Sequence, residues 1–99
     1  MPPDCYDPRI YITRYRLLTE GLAVQVYDDL YTTLPDADSA TLALPARVID
    51  AQAGWIGNAY NGSPWTDLIL RDGRTVLMVQ YWGEADLTEH LGAFAALLN

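Results

Sequence analysis

"LILRDGRTVLMV", residues 68–79, decides the fold. Two hydrophobic runs, the second rich in β-formers, flank Asp72-Gly73, a dipeptide that accepts the positive dihedrals of a type I′ turn. The stretch predicts an antiparallel hairpin. On a two-residue loop Arg71 opposes Arg74, Leu70 opposes Thr75 and Leu68 opposes Leu77, so Leu68, Leu70, Leu77, Val79 and Tyr81 share one face. That face is the candidate core.

Upstream, "WIGNAYNGSPW" (55–65) carries a second turn signal, Asn61-Gly62, eleven residues before the first. Together the two turns predict a meander with strands at about 55–60, 64–71 and 74–82. Tyr60 then opposes Ser63, Asn58 opposes Trp65, and Pro64 begins a strand, where a missing amide donor is tolerable. Aromatic residues beside turns usually pack, so the segment reads first as a structural hairpin. The competing reading is a sugar, nucleobase or peptide platform built from Trp55, Tyr60 and Trp65.

Working outward, "RIYITRYRLL" (9–18) is rich in β-branched and aromatic residues, with Ile10 and Ile12 on one side and Tyr11, Thr13 and Tyr15 on the other. It predicts a strand whose three arginines sit on an edge or pair with acids. Residues 22–34 admit two readings. Ala23, Val26, Tyr27, Leu30, Tyr31 and Leu34 fit one helical face, whereas a hairpin would turn at Gly21 with Leu22, Val24 and Val26 alternating. The helical match is longer and is preferred. Pro35 opens a loop, and Pro45 suits the start of a short helix carrying Val48, Ile49 and Ala53, stopped by Gly54. The end, "EADLTEHLGAFAALLN", predicts an amphipathic helix capped by Asp86 with Glu89 three residues on, burying Leu87, Leu91, Phe94 and Leu98. His90 borders that stripe.

These elements imply one α+β domain at residues 9–99, with a flexible arm at 1–8. An antiparallel sheet of three to four strands, a meander around Asn61-Gly62 and Asp72-Gly73, packs on the C-terminal helix and one or two others. A chain of 99 residues buries a core without metal or disulfide support. Its single cysteine, Cys5, cannot form an internal disulfide, and neither a leader segment nor a bilayer-length apolar run is evident. The expectation is a soluble cytoplasmic protein.

The formal net charge is −7, and all six basic residues are arginines. Lysine chemistry is excluded, apart from the α-amino group, and a phosphate loop would lack its lysine. Direct nucleic-acid binding is disfavoured by the charge. Residues 9–16 carry three arginines and no acid. By contrast, residues 17–46 below Arg47 hold five acids (Glu20, Asp28, Asp29, Asp36, Asp38), and residues 75–99 hold three (Glu84, Asp86, Glu89), without any arginine. Side by side, these segments would make a one-sign face able to steer a basic partner. Alternatively, they are solvated turn and helix-start carboxylates.

No catalytic signature emerges. One histidine and one cysteine give no paired ligand spacing, and Asp36 with Asp38 lacks the EF-hand pattern, so neither metal nor cofactor is expected. His90 with Glu84, Asp86 or Glu89 remains the only candidate acid–base group. The reading that size and charge favour is a non-enzymatic binding protein that neutralises a macromolecule by covering its basic surface, as immunity proteins, antitoxins and phage anti-defence inhibitors do. Its contact residues would be Asp28, Asp29, Asp36, Asp38, Tyr31, Glu84, Asp86 and Trp65. Two alternatives stand beside it: a small enzyme or ligand binder using the sheet face under Trp55, Trp65 and Trp82 with His90, and a subunit of a homo-oligomer.

Overall fold

The computed structural model describes residues 9–35, 39–45, 49–58 and 62–98. Strands β1 (Arg9–Arg16), β2 (Ala40–Thr41), β3 (Ala51–Asn58), β4 (Pro64–Asp72) and β5 (Thr75–Trp82) form one antiparallel sheet in the order β1-β5-β4-β3-β2. Helix α1 (Glu20–Thr33) covers one face; a 3₁₀ turn (Leu87–His90) running into α2 (Leu91–Ala96) covers the other. The fold is α+β, with five strands rather than three to four, because the two-residue β2 is added beside β3 to the expected meander and N-terminal strand. The arm expected at 1–8, together with Asp36, Asp38 and Tyr60, lies outside the described residues. No helix among the described residues is long and apolar enough to cross a membrane.

Strand alternation divides the core in two. Leu68, Leu70, Leu77 and Val79 point toward Leu87, Leu91, Phe94 and Leu98, all buried. Ile69 and Val76, on the opposite face, pack with Ala23, Tyr27 and Trp55. Each of these central strands is therefore apolar on both sides, which is why "LIL" and "TVLMV" read as continuous hydrophobic runs.

The decisive hairpin forms, with a different turn. Asp72 pairs with Thr75, Arg71 with Val76 and Leu70 with Leu77, so the two-residue loop is Gly73-Arg74. Gly73 has φ +59° and no non-glycine residue among the described ones has positive φ, as in a type II′ turn with glycine first. The Asp50 carboxylate fixes this choice. It accepts the Gly73 amide (2.8 Å) and lies 3.4 Å from Arg71, whose guanidinium also donates to the Gly73 carbonyl (3.2 Å). Because the register differs from the expected one by two residues, an even number, every side chain keeps its expected face.

At the other turn the offset is odd. Asn58 pairs with Pro64 and Gly57 with Trp65, so the connection between β3 and β4 is longer than two residues. The one-residue slip exchanges the faces of β3: Gly57, Trp55 and Ala53 share the side of Trp65, in place of Asn58 and Ile56. Of the short helix expected from Pro45, Val48 lies outside the described residues, and the part at 49–53 is corrected, since residues 49–50 form a bend and β3 begins at Ala51. Pairing with β4 overrides the weak local preference of "AQAG", and Gly54 lies within the strand against Leu68 rather than stopping a helix.

Residues 20–33 are helical. Thr19, in extended conformation, caps α1 by accepting the Leu22 amide (3.1 Å), and Glu20 in the first turn suits the helix dipole. Ala23 and Tyr27 are buried, but Tyr31, expected on the buried stripe, is exposed. At the C-terminus Asp86 caps as expected, though its partner is Thr88, through the amide (3.0 Å) and hydroxyl (2.6 Å), rather than Glu89. The first turn is 3₁₀, and the α-helix is only six residues long.

Candidate functional site

Six of the eight residues singled out from sequence are described, and they fall into two groups. Asp28, Asp29 and Tyr31 lie on α1, and all three are exposed. Trp65, Glu84 and Asp86 line one cleft of about 750 Å³. Since α1 and the segment after β5 cover opposite faces of the sheet, the acids of the two segments do not merge into one face.

On α1, adjacent carboxylates follow from the helix period, because residues 28 and 29 project on the side opposite Ala23 and Tyr27. Among the described residues neither has a basic partner, and α1 itself contains no arginine. The nearby hydroxyls are turned to backbone: Thr32 and Thr33 donate to the Asp29 carbonyl (3.0 and 2.7 Å). Tyr31 stands beside them with its ring edge-on to Trp55, centroids 5.3 Å apart, and is 52% exposed. Trp55 is buried beneath it and is not available as an open platform. Tyr27, one turn earlier, is pushed up to about 12, chiefly by burial and secondarily by the neighbouring Tyr31 phenol, so it stays neutral.

The cleft lies where β2, β3 and β4 end beneath residues 83–87. Its walls combine Leu42 and Ile56 with Asn58, Trp65, Glu84 and Asp86. The Trp65 indole lies flat over Gly57, where any side chain would collide with the ring, and this close approach accounts for the glycine. Asp86 is held ionised below the usual carboxylate range, first by the Thr88 hydroxyl and then by the Thr88 amide. The site offers negative charge and aromatic area without a basic group among its described walls. His90 is exposed and lines neither this cleft nor the smaller one beside Tyr31 and Trp55. Among the described residues no cluster of three metal-ligating side chains occurs.

Trp82, opposite Trp65 in the register, is 41% exposed and meets Tyr11 of β1 edge-on at 6.0 Å. Arg9, Trp82, Trp65 and Gly57 thus form one rank across four strands. Tyr11 and Arg9 were not singled out as site residues; the alternation of "RIYITRYR" placed Tyr11 on a face without saying that this corner is uncovered. No family model matches the chain, and neither the curated proteins nor the solved structures give a significant match.

Proposed function

We propose that this is a non-enzymatic binding protein that neutralises a macromolecular partner by covering its basic surface, with α1 as the principal contact. The observation that carries the reading is the pair Asp28 and Asp29. Both are exposed and without a basic partner among the described residues. No ion pair among the described residues accounts for their charge. Tyr31 adds an exposed aromatic of the kind that anchors interfaces. Carboxylates there would meet arginines and lysines that otherwise grip phosphate or substrate.

The test first retains a partner from a lysate on the wild-type protein, purifies it, and then compares wild type with Asp28→Asn/Asp29→Asn against it by stopped-flow association across a salt series. The double variant should fold normally and lose on-rate several-fold at low salt, with the two proteins converging at high salt. An unchanged on-rate and salt slope would remove the charged-contact reading.

A second reading, a small-ligand site, rests on the cleft of about 750 Å³ with Trp65, Glu84 and Asp86 on its walls. A small cation retained in native mass spectrometry and released by Trp65→Ala would favour it.

A further inference from the structure

β1 borders the sheet, and among the described residues no strand pairs with its outer side. The Leu17 amide donates to the Arg74 carbonyl (2.8 Å), which continues the β1–β5 register by one step. Odd-numbered residues of β1 therefore bond toward β5, and the backbone groups of Ile10, Ile12, Arg14 and Arg16 face outward. Ile10 is 47% and Ile12 44% exposed, so this ladder is flanked by apolar area rather than blunted by it. Long edges of this kind are templates for an added strand.

Charge identifies what would be added. The chain has 13 acids and six arginines, yet among the described residues Arg9, Arg14 and Arg16 have no carboxylate within ion-pairing distance. Arg71 alone takes Glu20 and Asp50. Two of the three edge arginines are nevertheless held in place. Arg14 donates through Nε to the Leu97 carbonyl (2.9 Å) and Arg16 to the Thr75 hydroxyl (2.9 Å), leaving donors of each fork unspent. We infer that the open edge of β1 takes an added β-strand from an acidic, extended segment of another protein, its backbone completing the ladder at Ile10, Ile12 and Arg14 and its carboxylates meeting the arginines.

A second copy fits less well, because it would set one three-arginine strand against another. Nucleic acid fits less well again: phosphates cannot answer an alternating ladder of amides and carbonyls, and the net charge of −7 repels them. The edge lies on β1 and not on α1, so the inference is independent of the contact proposed above.

The probe is a capped peptide of alternating valine and glutamate, seven residues long, titrated into the full chain. Binding should slow amide exchange at Ile10, Ile12 and Arg14 by at least tenfold. Replacing glutamate by lysine should weaken binding at least tenfold, and N-methylating alternate peptide amides should abolish it. Ile12→Pro deletes one outward amide at an edge position, where proline is tolerated, and should prevent binding with an unchanged circular dichroism spectrum. Should that variant not fold, the methylated peptide makes the same test on wild type. No binding, equal binding of the lysine peptide, or protection confined to α1 would each overturn the inference. So would displacement of the peptide by single-stranded DNA, or a free protein whose edge is closed as a particle of about twice the 11.0 kDa chain mass.

Discussion

Gly73 and Tyr27 show how single residues fix this molecule. Gly73 holds φ +59° at the turn, and its amide is bound by Asp50. Gly73→Val should cost about 1 kcal/mol or more, because a β-branched residue resists the left-handed region, whereas Gly73→Asn should cost less. Thermal melts of the two variants check this, and equal Tm values would contradict the turn geometry. Tyr27 makes a pH prediction. Its folded pKa of about 12 exceeds the ordinary tyrosine value of 10.0, so the folded state retains the proton longer than the unfolded chain. The contribution to stability is complete below pH 10 and is lost as pH rises toward 12. Urea midpoints should fall over that window in wild type and fall less in Tyr27→Phe.

The elements differ in how legible they were. Asp72-Gly73 gave the central hairpin and its buried face even though the loop is one residue further on, because a two-residue change of register preserves the side of every residue. The stripe Leu87, Leu91, Phe94 and Leu98 was also readable, since all four side chains are buried. β3 was not. "AQAG" has weak strand preference, and what makes it a strand is the pairing of Ala51, Ala53 and Trp55 with Arg71, Ile69 and Asp67, which no local window contains. The same limit applies to the candidate site. Charge counting found Asp28, Asp29, Glu84 and Asp86 but could not assign them to opposite faces of a sheet whose β3 register was unknown.

Two substitutions probe the helices. Thr19→Ala removes the cap of α1 and should cost about 1 kcal/mol by chemical denaturation, while Asp28→Asn/Asp29→Asn should stay within about 0.5 kcal/mol of wild type. Leu91 is 1% exposed, and Leu91→Asp places a charge against Leu68 and Leu77. That variant should be unfolded at room temperature, and a cooperative melt near the wild-type temperature would mean that the C-terminal segment leaves the sheet without consequence.

At the scale of the whole molecule, one pairing joins distant parts of the chain. β3, β4 and β5 follow one another and pair with their sequence neighbours, but β1 pairs with β5, Arg16 opposite Thr75 and Arg9 opposite Trp82. Closing so large a loop must wait until the strand that receives it exists, and long-range contacts of this kind slow folding. During synthesis β1 emerges before β5, and it has no place to dock until residue 82 has left the ribosome. The nascent chain thus carries an unpaired, β-prone segment while residues 17–82 are being made. Its three arginines then discourage premature pairing between neighbouring chains, a task set by the order of assembly rather than by the finished fold.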